Sequence, residues 1–435
     1  MGAAEPHRGR TREVVAWMLY DWANSAYSTL LITVVAYYIQ RMVLPNTWGP
    51  VVYAWGISAA MLITALLSPI VGAMADANQS KRRWLAVTAL GGASASILMA
   101  AAPASWVGLI VPCFVLSALC FNLSLVPYNA FLTEITDENT INRVSAWGFA
   151  LGYLGGAIPL VLAGVVILAG QGLGLDEVGR HRVGVLVMGL WWGGFTLPVL
   201  SVLRDRGPPP DHPQPLPRAA ATAVIEVKQT LASVRQYPVC AFFLLAFLFY
   251  NDGIETLITQ ASTLAIQAFH FSAVQLFLLV LMIQLVALPG ALVVGWLSDR
   301  LGPKPTLLGC LAVWMLLPMA AALAREAWAV WAMGGVLALV LGGTQSVSRA
   351  IMGLITPPER TAEFFGFFNL SGKAAAFMGP TLFGLILRMT ENARLAGLSV
   401  IVFFAIGWLA ILRIDLKQGR RQALAGIVSR ERVPL

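Results

Sequence analysis

The stretch Tyr20-Asp21-Trp22-Ala23-Asn24-Ser25 returns 231 residues later as Tyr250-Asn251-Asp252-Gly253-Ile254-Glu255, and that echo decides how the chain is read. Asp21, Asn24, Ser25 and Ser28 stand at i, i+3, i+4 and i+7, one face of a helix. Asp252, Glu255, Thr256 and Thr259 repeat the spacing. Both groups lie in long apolar runs, where a carboxylate costs about 2.5–3.5 kcal/mol on membrane-insertion scales. Bearing that cost twice, on matching faces of two matching helices, points to a polar path at the centre of a two-fold membrane protein.

The rest of the composition agrees. Hydrophobic residues make up 58% of the 435 and charged residues 11%, against about 25% charged in soluble domains. The net charge of +8 sits in clusters that flank apolar runs and in the C-terminal tail. That pattern fits anionic lipid headgroups and argues against nucleic acid as a partner. Cys113, Cys120, Cys240 and Cys310 lie in or beside apolar segments with no C-x-x-C spacing, so neither a disulfide framework nor a zinc site is expected. His7, His181, His212 and His270 have no nucleophile or ligand partner at motif spacing, and no Gly-rich nucleotide loop is present. No enzyme, metal or cofactor is expected. The first apolar run lacks a small-residue cleavage signal and reads as a retained span.

Apolar segments long enough to cross a membrane fall at 14–43, 51–74, 84–102, 106–132, 143–169 and 184–203, then at 238–268, 272–297, 306–323, 327–353, 362–389 and 394–413. The expected fold is all-α: twelve transmembrane helices in two six-helix bundles related by a pseudo-two-fold axis. Residues 1–203 form the first bundle and 238–413 the second. The Pro-rich stretch 204–237 is a cytoplasmic linker, with an amphipathic helix expected over Ala219–Val234, and 414–435 is a basic cytoplasmic tail. With both termini cytoplasmic, 22 Lys and Arg fall on that side. Arg41, Arg180, Arg182, Arg325, Arg388 and Arg394 fall opposite, and Lys373 lies within a span. This bias is the positive-inside pattern of a cytoplasmic-membrane protein. Arg180-His181-Arg182 is its one unexplained exception.

Two further features repeat between the halves. Gly72-Ala73-Met74-Ala75-Asp76, followed by Lys81-Arg82-Arg83, corresponds to Gly295-Trp296-Leu297-Ser298-Asp299-Arg300. In each, the glycine admits a neighbouring helix, and the aspartate is placed to face a helix N-terminus or a basic residue. Gly72, Asp76, Arg82, Gly295, Asp299 and Arg300 are therefore expected to gate the cytoplasmic side. Gly148, Gly152 and Gly156 form a small-residue stripe suited to close packing.

These motifs carry a family resemblance. Over nearly its whole length the chain resembles the major facilitator superfamily, and Gly295 to Lys304 looks like that superfamily's cytoplasmic signature. The first copy departs from it, with Ala77-Asn78-Gln79-Ser80 between Asp76 and the basic cluster. The Tyr20 motif, Pro127-Tyr128-Asn129-Ala130-Phe131-Leu132, Leu151-Gly152-Tyr153-Leu154-Gly155-Gly156 and Phe249-Tyr250-Asn251-Asp252-Gly253 resemble the vacuole-effluxer-like family within it. Fungal members of that family are associated with amino-acid export from the vacuole. The resemblance implies a secondary active transporter.

Candidates for a substrate or coupling path are Asp21, Asn24, Asn122, Asn129 and Tyr153 in the first half, with Ser28 and Trp147 beside them. In the second half they are Asp252, Glu255, Gln345, Arg349, Asn369 and Lys373, with Thr259 and Gln284. Protonation of Asp252 or Glu255 lowers the cost of passing an occluded state, which is how proton coupling works physically. A zwitterion such as an amino acid finds a carboxylate for its ammonium and Lys373 or Arg349 for its carboxylate. Sugars or peptide and cell-wall fragments find amides and aromatic rings instead. The partners read from the sequence are thus a small polar solute, membrane lipid and protons, handled by a monomer. A non-transporting receptor or scaffold is the alternative, and it has no use for buried charges.

Overall fold

The computed structural model describes residues 8–45, 48–206, 225, 237–269, 271, 273–374 and 378–431. Every regular element among them is helical. In the first half these are α1 (Arg8–Leu30), α2 (Trp48–Ala77), α3 (Lys81–Ala101), α4 (Val107–Ile135), α5 (Ile141–Ala169) and α6 (Glu177–Val202). In the second they are α7 (Pro238–Phe269), α8 (Ala273–Leu301), α9 (Pro303–Leu323), α10 (Ala327–Ile355), α11 (Thr361–Ala374), α12 (Met378–Thr390), α13 (Ala393–Ser399) and α14 (Ile401–Leu412). The tail then forms α15 (Leu416–Glu431). The expected helix over Ala219–Val234 lies outside the described residues, apart from Ile225.

Ten helices among the described residues are long and apolar enough to cross a membrane. They correspond to ten of the twelve expected spans, all but the first and the eleventh. The chain of α1 opens with Arg8, Arg10, Arg12 and Glu13, which lower its hydropathy, and it continues past Leu30 with π-type turns at Leu31–Val35 and Tyr38–Val43. The eleventh apolar stretch is described in two pieces, α11 and α12, on either side of residues 375–377, which lie outside the described residues, and neither piece taken alone reaches span length at 1.5 Å per residue.

Each half has its own aromatic core. Trp17, Tyr20, Tyr27, Phe114 and Trp192 are fully buried in the first, and Phe243, Tyr250, Trp314, Phe365 and Phe404 in the second. The echo extends to a hydrogen bond. The Tyr20 hydroxyl donates to Ser124 Oγ at 2.7 Å, between α1 and α4, and Tyr250 meets Ser348 Oγ at 2.7 Å, between α7 and α10. Prolines lie inside α2, α4, α5, α6, α8 and α9, as is common in membrane-crossing helices.

The chain alternates direction, so the starts of α1, α3 and α5 share one face with the ends of α2, α4 and α6. The same face carries the end of α10, the start of α11 and α15. This is the terminal face. On the opposite face the Arg180-His181-Arg182 run has a structural job. Arg180 donates to the Ile167 carbonyl at 2.7 Å, and Arg182 donates to those of Ala100 and Ala101 at 2.8 and 2.7 Å. Both close the unsatisfied C-terminal carbonyls of α5 and α3, which accounts for basic residues on the wrong side of the charge bias.

Candidate functional site: a polar seam between the two halves

The deepest ionic contact joins the halves. Asp21 of α1 and Arg349 of α10 are 6% and 3% exposed, and both Nη1 and Nη2 of the arginine lie 3.2 Å from Asp21 Oδ2. Arg349 also donates through Nε to Ser145 Oγ at 3.0 Å and through Nη2 to the Ser145 carbonyl at 2.9 Å. Its guanidinium lies over Phe149 at 4.1 Å and Trp17 at 4.6 Å, with Tyr128 at 5.7 Å. Three ring faces, a carboxylate and two oxygens thus replace water around one cation. Glycine is required beside the pair: a Cβ on Gly148 would lie 2.6 Å from Asp21 Oδ2 and 3.0 Å from Arg349 Nη2. The glycine stripe is the surface on which this pair is assembled.

Nearer the terminal face, the two Gly-x-x-x-Asp motifs each meet the first turn of a helix from the other half. Asp76 Oδ2 accepts the Glu363 amide of α11 at 2.9 Å, where a helix N-terminus presents unpaired donors. A Cβ on Gly72 would fall 2.2 Å from the Ala362 carbonyl, so α2 and α11 are in backbone contact there. The second copy repeats the arrangement. A Cβ on Gly295 would fall 2.3 Å from Ala146 Cβ, and Asp299 faces Asn142 and Arg143 at the start of α5. Asp299 is exposed where Asp76 is buried.

The basic residues divide differently from the motif reading. Lys81 pairs with Asp76 at 2.9 Å and with Glu134 at 2.7 Å, tying α2, α3 and α4 together at the terminal face. Arg82 instead donates to the Leu200 carbonyl at 2.7 Å, and its amide meets Asp205, all within the first half. Burial raises the Asp205 carboxyl above its ordinary range, opposed by these contacts. Arg300 lies over the Trp296 ring of its own helix at 4.0 Å.

Deeper polar contacts cross the seam as well. Tyr153 donates to Gln345 Oε1 at 3.1 Å, and Gln284 donates to Thr29 Oγ1 at 2.8 Å. Asn369 donates to Ser68 Oγ and to the Asn122 carbonyl, both at 3.0 Å. Asn24 is buried with an Nδ2 that meets no hydrogen-bond partner among the described residues, and Asn129 is half-buried. At the surface, Arg420 of α15 bridges Glu138 at 2.9 Å and reaches the Leu354 carbonyl at 3.3 Å, linking tail, first half and second half. Sequence reading missed Thr29, Ser68, Lys81, Glu134, Ser145 and Glu363. Only Lys81 carried a signal, as the first member of the basic cluster.

Asp252 stands apart. It is 1% exposed, and neither carboxylate oxygen meets hydrogen-bond geometry with any described group. Gly379 of α12 packs beside it: a Cβ there would lie 3.0 Å from Asp252 Oδ2 and 1.9 Å from Thr256 Oγ1. Glu255 is half-buried one turn on. The Lys373 and Thr259 side chains lie outside the described residues, although both backbones are helical.

The arrangement can therefore do mechanical work: a closed seam of buried ionic and backbone contacts at one face, with uncharged contacts deeper in. Known proteins place it. The family model "Vacuole effluxer Atg22 like" matches residues 46–141 and 133–424. The "Uncharacterized MFS-type transporter YxiO" of Bacillus subtilis is 29% identical over 404 residues, 91% of this chain and 93% of that one. "Autophagy-related protein 22-1" of Penicillium rubens is 25% identical over 303 residues, 65% of this chain, and the match spans half of the fungal protein. Among solved structures, the human organic anion transporter MFSD10 has a TM-score of 0.72 at 14% identity, covering 94% of this chain and all of that one. The transporter FucP in the outward conformation has a TM-score of 0.71 at 16% identity, covering 94% and 99%. The fold is that of the major facilitator superfamily, and the chain belongs to the vacuole effluxer Atg22-like family.

Proposed function

We infer that the protein is a secondary active transporter that moves a small polar solute by alternating access. On this reading it has twelve crossings in two bundles and both termini in the cytoplasm. The observation that carries it is the Asp21–Arg349 pair, a buried ionic contact between halves within a seam held by Asp76 and Glu363. A scaffold gains nothing from a charge pair whose desolvation rivals its attraction. A transporter needs contacts that hold one face shut and are traded for water when it opens. An amino acid is the solute favoured on this reading, as the sequence resemblance implies; the family description itself speaks of a vacuole effluxer and names no solute.

Arg349 is committed to Asp21 while the seam is closed, so it is a gating group in that state rather than a free carboxylate receptor. The proton-coupling role falls to Asp252, with Glu255 beside it. Among the described residues the Asp252 carboxylate meets no hydrogen-bond partner; such a buried ionised group is costly, and taking up a proton removes that cost. The test is uptake and counterflow of labelled amino acids, sugars and small peptides in proteoliposomes. The expected result is saturable movement of an amino acid, with Asp252→Asn losing accumulation against a gradient while retaining exchange. Movement of none of these solutes, or accumulation untouched by Asp252→Asn and Glu255→Gln, overturns the reading.

A further inference from the structure

On the opposite face, the second half encloses a cavity of about 90 Å³ between α7, α8, α9, α10, α12 and α13. Phe269, Leu279, Ile283, Leu317, Met333 and Phe383 wall it, and Arg394 and Gln260 bring its polar side chains. Arg394 stands in the first turn of α13 with its guanidinium over the Phe269 ring at 5.0 Å. On the same face Arg180 and Arg182 spend their donors on helix-end carbonyls, but the Arg394 side chain has no carboxylate or carbonyl partner among the described residues. Gly397, one turn on, also lines the cavity, and a Cβ there meets nothing within 4 Å. Open apolar space and an uncommitted cation therefore lie side by side.

We propose that this cavity binds a medium-chain carboxylate, with the chain end against the apolar walls and the carboxylate on Arg394. A guanidinium fork matches a carboxylate in a bidentate, charge-assisted pair. A cavity of about 90 Å³ has room for the end of an alkyl chain. The site is lined by the second half alone and uses none of the seam's polar contacts, so it is independent of the transport reading.

The experiment is equilibrium binding of labelled octanoate to the full chain in nanodiscs of neutral lipid, with empty nanodiscs as the blank and butyrate and octanol as competitors. Saturable binding above the blank is expected. Butyrate should compete poorly, because each methylene that enters apolar space is worth about four-fold. Octanol should compete at least ten-fold less well than octanoate. Arg394→Gln should weaken octanoate at least ten-fold while leaving octanol competition unchanged, and Gly397→Val, which fills the space, should weaken both. Octanoate bound no better than octanol to the parent protein overturns the proposal without need of a variant. So does undiminished binding in a folded Gly397→Val.

Discussion

Replacing Asp21 with Asn removes one charge from the seam without changing its size. In the closed state Arg349 then stays buried with two contacts to Ser145 and three aromatic faces but no counter-charge. Breaking one side of a buried pair costs about 3–5 kcal/mol, and the retained contacts favour the lower end. When the seam opens, water solvates the arginine, so the cost falls on the closed state alone. At about 1.4 kcal/mol per decade, a 3 kcal/mol penalty shifts the equilibrium toward open by about 100-fold. Ser346→Cys in a background without Cys113, Cys120, Cys240 and Cys310 reports the shift. Ser346 is fully buried on α10, and its carbonyl accepts from Ser145 across the seam. Its alkylation rate tracks the open fraction when opening is fast relative to labelling. Asp21→Asn should raise that rate about 100-fold. Asp21→Asn with Arg349→Gln, which leaves no uncompensated charge, should return it to within about ten-fold of the parent. Equal rates in parent and single variant, or a double variant as fast as the single, would refute the reasoning.

The glycines and the tail make separate predictions. Gly72→Ala places a Cβ 2.2 Å from the Ala362 carbonyl, where only backbone can yield, so the seam cannot close as it stands. The same cysteine should then react faster than in the parent, while an unaltered rate would show that α2 and α11 have room to part. Glu138→Gln removes an exposed bridge from Arg420, with Glu138 58% exposed, and exposed pairs contribute about 0.2–1 kcal/mol. The rate should rise by no more than about five-fold, and a larger change would mark α15 as a principal closure of the terminal face.

What could be read from the sequence follows from what periodicity encodes. The i, i+3, i+4, i+7 spacing puts Asp21 and Asn24 on one helix face, and the Gly-x-x-x-Asp echo marks where the halves approach. Neither names the partner across the gap. Arg349 lies 328 residues from Asp21, and on its own helix it reads as an arginine near a membrane boundary. Local register was equally silent: of the adjacent Lys81 and Arg82, one closes on Asp76 and the other turns to the end of α6. The Arg180 and Arg182 caps were hidden because their acceptors are backbone carbonyls, which leave no mark in a sequence. The tail showed its charge, but docking of α15 depends on Gly419 fitting beside Val239 and Ile355, a packing fact without a motif.

The central claim is that this seam opens and closes as one unit. Asn139 at the α4–α5 turn and Glu359 before α11 are exposed on the terminal face of opposite halves. Pulsed electron–electron distance measurement between nitroxides at these two positions tests the claim most directly. A dominant short distance is expected in the parent protein, with a second, longer population that grows to dominate in Asp21→Asn. One short distance, the same in both proteins and unmoved by any transported solute, would contradict it.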